Sequence, residues 1–157
     1  MSSPIVSTDW LAAHYNDPSI KVLEISAKRG ADAEYAKRHI PGAINFWWKD
    51  LCWHETDRQF VTPRQLAHRL GEIGISHKDC VIIYGDPVQY GTYAFWALTM
   101  AGHPDLRILD GGRTKWMNEN LSTEKHTPDF KPVEYKSQKS NESMRIGREN
   151  IRKHLGN

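Results

Sequence analysis

Cysteine is scarce: the chain carries two in 157 residues, Cys52 and Cys80. Two cysteines cannot build a disulfide framework, and they fit a reducing compartment, so a cytoplasmic location is expected. Long hydrophobic runs are missing as well. No stretch approaches the ~18 consecutive apolar residues of a membrane span, and Met1–Ser7 lacks a secretion-signal pattern. Nor does charge of one sign prevail, because 21 Lys and Arg are interspersed with 19 Asp and Glu for a formal net charge of +2. That balance points to neither nucleic acid nor a membrane surface as a partner. No CxxC or HxxxH spacing occurs, so no metal and no cofactor are expected. What is present is a hydrophobic share of 39% and six tryptophans, enough for one domain with a core, followed by a tail.

The chain is organised around Cys80–Tyr93. Val81, Ile82, Ile83 and Tyr84 form a continuous apolar, β-branched run, the pattern of a strand buried on both faces. Gly85, Asp86, Pro87 and Gly91 break that run, and an apolar, aromatic-rich helix is predicted over Thr92–Met100. The intervening loop, Gly85, Asp86, Pro87, Val88, Gln89, Tyr90 and Gly91, would place backbone amides at a helix N-terminus, a position that attracts anions. It contains no Cys, Ser or Thr, so the loop has no nucleophile. Asp86 would repel an anion there, although Asp86-Pro87 is also ordinary turn chemistry and is read so.

The remaining elements alternate around this centre. Ile5–Val6 leads into a helix capped by Ser7 or Thr8. Ile20–Ile25 is a strand, Lys28–Asp32 a charged loop, Ala33–Arg38 a short helix, and Ala43–Trp48 a strand. Lys49–Gln59 reads as a long exposed loop. Thr62-Pro63 opens a helix whose Leu66, Leu70 and Ile73 share a face, and Gly74 closes it. Leu106–Leu109 is another strand, and Asp110-Gly111-Gly112 turns into a short helix through Trp116. This rhythm predicts an α/β fold. Its sheet is mostly parallel, with about five strands and helices on both faces. From Ser122 to Ser143, Lys, Ser, Glu, Thr and Pro dominate, and only Phe130, Val133 and Tyr135 could anchor what reads as a linker draped over a surface. Beyond it, Ile146–Ile151 repeats the pattern of Val6–Leu11 at an offset of 140, with His154 opposite His14. That offset suggests the first strand and helix of a second copy.

Three blocks carry a resemblance to the rhodanese-like sulfurtransferases, most closely to the N-terminal half of tandem thiosulfate or 3-mercaptopyruvate sulfurtransferases. Tyr35–Ile44 is similar to the family's "Y..GHIPGA" signature and contains His39, Pro41 and Gly42, with Arg38 where Gly is usual. Cys80–Gly85 followed by Thr92–His103 resembles the active-site strand and helix ending in "AGH". Leu109–Trp116 resembles "LDGG...W", supplying Asp110, Gly111, Gly112 and Trp116. The resemblance implies a three-layer rhodanese-like domain over 5–121, a linker over 122–143 and a truncated second domain over 144–157. It also implies sulfur transfer to a thiophilic acceptor such as cyanide, through a persulfide on a cysteine directly after the central strand. Gly85 holds that position, and the early "D.R" pair is altered to Glu24 and Ser26. The chain is therefore expected to be the non-catalytic half. Its partner would be a C-terminal catalytic domain, and small sulfur-containing anions would be substrates of the whole. A stand-alone, inactive rhodanese-like binding or regulatory module is the alternative. A related phosphatase is set aside, since Gly85–Gly91 has neither Cys nor Arg.

The other conspicuous residues have plainer readings. Persulfide chemistry needs an accessible thiolate of lowered pKa. Cys80 begins a buried strand and reads as a core thiol. Cys52 lies in the polar loop beside His54, but sequence neighbours rarely aim at one another, so neither catalysis nor zinc is assigned to it. His39 is expected to orient its turn by a hydrogen bond. Asp110 is expected to cap a tight turn and the next helix. Trp47, Trp48 and Trp53 are divided between packing under the loop and facing a partner domain.

Overall fold

The computed structural model of the chain describes residues 3–56 and 59–155. Asp57 and Arg58 of the expected 49–59 loop, and Gly156 and Asn157 of the expected second copy, lie outside the described residues.

The strands are β1 (Ile5–Val6), β2 (Ile20–Ser26), β3 (Ile44–Trp47), β4 (Cys80–Asp86) and β5 (Leu106–Leu109). All pairings are parallel, in the order β1-β5-β4-β2-β3, so β4 is central. Helices α1 (Thr8–His14), α2 (Trp48–Cys52), α3 (Pro63–Glu72), α4 (Val88–Met100), α5 (Gly112–Asn118) and α6 (Arg148–Leu155) complete the set, with three short 3-10 turns. Alternate residues of β4 face opposite layers. Val81 and Ile83 join Leu51, Leu66, Leu70 and Leu98 of α2, α3 and α4 on one side. Ile82 and Tyr84 join Leu11, Tyr35, Ile40 and Trp116 on the other. Burial on both faces is why this strand is continuously apolar.

Local signals set several ends. The Ser7 side chain accepts from the Trp10 amide to start α1. Thr62 and Gln65 form a reciprocal capping box with Pro63 in the first turn of α3. Three expectations change. The exposed loop expected over Lys49–Gln59 begins instead as α2, with Leu51 and Cys52 fully buried. Their spacing from Trp48, three and four residues, puts them on one helical face despite polar neighbours. The helix expected from Thr92 starts four residues earlier, at Val88, and the short helix expected over Ala33–Arg38 is a 3-10 turn, Glu34–Ala36.

One buried polar cluster ties the layers together. Glu24 on β2 is fully buried, and its Oε2 accepts from the Tyr84 hydroxyl of β4 at 2.5 Å and from Arg113 Nη1 of α5 at 2.9 Å. Arg113 also donates to the carbonyls of Glu34 and Arg38. Glu24 Oε1 has no hydrogen-bond partner among the described residues. Burial raises the Glu24 pKa, against the Tyr84 hydrogen bond and the Arg113 charge. Removing one member of a buried pair strands the other charge. Arg113→Met should therefore destabilise the domain by about 3–5 kcal/mol. Adding Glu24→Gln to that background should recover part of the loss in urea unfolding; strictly additive losses would show that the two groups are not coupled.

Candidate functional site

In an open parallel sheet, ligands bind beyond the carboxyl ends of the strands. Here that edge is formed by Ser26 of β2, opposite Asp86 of β4. The seven-residue loop expected over Gly85–Gly91 is absent. Gly85 and Asp86 end the strand, Pro87 alone connects, and Val88, Gln89, Tyr90 and Gly91 are the first turn of α4. The helix starts so early because Pro87, with φ −63°, ends the extended run and Val88 can enter the helix at once. The Tyr90 amide is taken by the Pro87 carbonyl at 3.1 Å.

This change fills the position expected for a nucleophile. Gly85 and Gly91 pack backbone to backbone. A Cβ on Gly85 would collide with the Gly91 amide nitrogen and lie 2.7 Å from the Pro87 carbonyl oxygen, while one on Gly91 would lie 2.6 Å from the Gly85 nitrogen. The amide cradle anticipated from the sequence therefore has no room at Gly85 for a side chain of any kind. Neither existing thiol substitutes for it. Cys52 is buried, and burial pushes its pKa up to about 12. Burial, reinforced by the charge of Asp105, pushes Cys80 up to about 11.

A cavity of about 210 Å³ opens beside Asp86, lined by Ser26, Ala27, Lys28, Asp32, Ala33, Glu34 and Pro87. Its charged groups are mixed: Asp32, Glu34 and Asp86 line it with Lys28, and Glu34 is paired to Lys37 at 2.7 Å. Asp86 is thus more than a turn residue: it ends β4, lines this crevice, and its charge adds to the forces that raise the Glu24 pKa. Around the corner, the guanidinium of Arg29 lies 3.9 Å from the Trp47 ring centre and pairs with Asp50 at 2.5 Å. The Lys49 ammonium sits 5.3–5.7 Å from the rings of Trp47, Trp48 and Trp53. Trp48 packs on Trp53, Tyr90 and Tyr93, so the aromatics form one continuous cluster beside α4. Val88 and Gln89 are exposed on the same helix end. Among the described residues, no group of three or more His, Cys, Asp or Glu is placed to hold a metal ion.

The motif residues outside this edge lie in two turns and the core behind them. His39 is fully buried, stacked on Tyr35, and hydrogen-bonded to the Tyr35 carbonyl at 2.9 Å and the His126 carbonyl at 3.1 Å. Pro41 lies in the turn after it, and Gly42, at φ 75°, donates its amide to Glu124 Oε1. Asp110 does not cap α5: its carboxylate pairs with Lys115 at 2.7 Å, and Gly111, at φ 71°, holds the N-cap position. Gly112, at φ 55°, opens α5 and turns the chain so that Trp116 is fully buried, with its Nε1 donating to the Ser122 carbonyl. Sequence reasoning missed Arg113 and Tyr84 as the partners of Glu24. Tyr84 offered a hydroxyl at the end of an apolar strand, but Arg113 stands beside Thr114 and Lys115 in a largely polar helix and gave no signal.

Comparison with known proteins agrees with this architecture. Residues 7–119 match the Rhodanese-like domain. The chain is 34% identical to the sulfur carrier protein TtuD of Thermus thermophilus, over 96% of this chain and 52% of that protein. It is also 34% identical to a thiosulfate sulfurtransferase of Corynebacterium glutamicum, over 83% of this chain and 43% of that protein. Among solved structures, SseA of Escherichia coli, a 3-mercaptopyruvate sulfotransferase by its title, matches the fold with a TM-score of 0.83 at 24% identity. The match covers 99% of this chain and 62% of that one. The chain spans about half the length of the curated relatives it matches. With the five-stranded parallel sheet, the buried His39 turn and the Asp110–Trp116 turn in place, the chain belongs to the rhodanese-like domain family.

Proposed function

We propose that this chain is the non-catalytic half of a two-domain sulfurtransferase. The whole protein would move sulfur from thiosulfate or 3-mercaptopyruvate to a thiophilic acceptor such as cyanide, in a reducing compartment such as the cytoplasm. The persulfide would form on a cysteine of the other domain, and this half would supply one wall of the cleft between them. The observation that carries this reading is the close packing of Gly85 on Gly91, which leaves no space for the nucleophile. Two others support it. The relatives are about twice as long as this chain. In addition, α6 starts at Arg148, opposite Thr8 of α1 at the offset of 140, and His154 contacts the Asn150 carbonyl as His14 contacts that of Trp10, both at 2.6 Å. The aromatic cluster with Arg29 and Lys49 is the surface of this edge best suited to a partner, since aromatic and Arg side chains dominate interface energetics.

The chain alone should form no thiocyanate from thiosulfate and cyanide above the buffer rate. Turnover that disappears in Cys52→Ser or Cys80→Ser would overturn the proposal. Restoring the thiol should not restore the reaction. Gly85→Cys is expected to lower stability by about 1–3 kcal/mol or more, because backbone of α4 must move to admit it, and to remain without sulfurtransferase activity. A variant with an unshifted urea midpoint and a rapidly alkylated thiol would show that the first turn of α4 yields easily.

A further inference from the structure

The positive charges around the carboxyl end of β3 are not equivalent. Two of them are answered by carboxylates. Arg29, stacked on Trp47, pairs with Asp50 at 2.5 Å. Arg69 donates to the carbonyls of Leu51 and Trp53 at 3.1 and 2.7 Å and lies 3.8 Å from Glu55. The third, Lys49, pairs with no carboxylate and finds no hydrogen-bond acceptor for its ammonium among the described residues. That ammonium lies over three indoles instead, 5.4 Å from the ring centre of Trp47, 5.3 Å from that of Trp48 and 5.7 Å from that of Trp53. All three fall within the ~6 Å over which a ring face attracts a cation.

The rings are fixed where they stand. Trp47 donates its Nε1–H to the Ala27 carbonyl at 3.0 Å, and Trp53 donates its own to the Tyr93 hydroxyl at 2.8 Å. Trp48 stands at 65° to Trp47 and 86° to Trp53, and it packs on Tyr90 and Tyr93. Ring faces set steeply to one another around a single cation make a cage, and the cage exists before any ligand arrives. A cavity of about 510 Å³ opens here, with Trp47 and Trp53 in its wall beside Arg29, Lys49, Asp50 and Glu55. Small-molecule sites are of this size, ~300–1,000 Å³.

We propose that Trp47, Trp48 and Trp53 form a cage for the trimethylammonium group of a small organic cation, and that Lys49 occupies it as a tethered stand-in. Hydrogen bonding selects the head group. A primary ammonium must leave its N–H donors against ring faces, whereas a quaternary ammonium has no N–H to satisfy and spreads its charge over methyl groups. Charge balance agrees with one added cation. With the Lys49 ammonium swung out, Arg29 and Arg69 are matched by Asp50 and Glu55, so a ligand cation takes the place of the charge that left. The tether also sets the affinity. While Lys49 fills the cage, only the fraction of molecules with an open cage can bind, and the apparent affinity falls by that fraction. The cage does not rest on the two-domain proposal, since every group in it belongs to this chain.

The test is an NMR titration of the full chain with choline chloride at constant ionic strength, read at the indole N–H signals of Trp47, Trp48 and Trp53. In Lys49→Ala these signals should shift saturably, with a dissociation constant on the order of tenfold below that of the wild-type chain. The neutral isostere of choline, with carbon in place of its nitrogen, should shift none of them. Adding Trp47→Leu to the Lys49→Ala background should abolish the response; should that variant not fold, the contrast between choline and its isostere still decides. No saturable shift in Lys49→Ala, an equal response to the isostere, equal affinity with and without Lys49, or binding that survives Trp47→Leu would each overturn the cage. A peptide carrying trimethyl-lysine forms the last arm. Affinity comparable to that of choline is expected, and binding more than about tenfold tighter would overturn the small-molecule occupant in favour of a modified protein.

Discussion

A carboxylate with no exposure to water has to be answered from inside the protein, and the answer to Glu24 organises this domain. Its partners come from two other elements, Tyr84 of β4 and Arg113 of α5. Arg113 in turn holds the carbonyls of Glu34 and Arg38, which precede the His39 turn. One guanidinium thus fixes the position of α5 and of the chain entering Ile40-Pro41-Gly42. Apolar contacts would let these elements slide, whereas charge-assisted hydrogen bonds with several fixed partners do not.

On the other side of β4 the controlling contact is steric. Gly85 and Gly91 let strand and helix backbones touch, which starts α4 at once and shortens the connection to Pro87. The same contact removes the space in which a reactive thiol could be presented. What is left at the carboxyl edge is a small crevice of mixed charge on one side and a cation-bearing aromatic cluster on the other.

The stretch after Leu121 has linker composition but is not a free tether. Gly71, Gly74 and Gly102 all lie where its backbone crosses the domain: a Cβ on Gly71 would come 2.8 Å from the Val133 oxygen, and one on Gly74 would come 3.0 Å from that of Lys131. At Gly102 it would collide with the Lys139 carbonyl. Of the expected anchors, Phe130 and Val133 stay exposed while Tyr135 packs on the core and bonds His103, and backbone hydrogen bonds hold the rest of the segment. Much of the segment therefore lies against the domain.

The sequence alone determined the order and type of the five strands and of α1, α3, α4 and α5. Apolar periodicity and capping residues are local properties, and they suffice for β4, for α3 with its Thr62–Gln65 box, and for the five-stranded parallel sheet. The turn after His39 was legible for the same reason, since Ile40-Pro41-Gly42 is a local turn signal. The tertiary structure decided everything that depends on distance between remote segments. It buried Cys52, which polar neighbours had made look exposed, and it joined Glu24 to Arg113 across 89 positions of sequence. It also turned Val88–Gly91 from a loop into helix, because only the approach of Gly91 to Gly85 shows that no loop fits there. Local propensity carries no record of such approaches, and it was an approach of this kind, between two glycines, that closed the expected site.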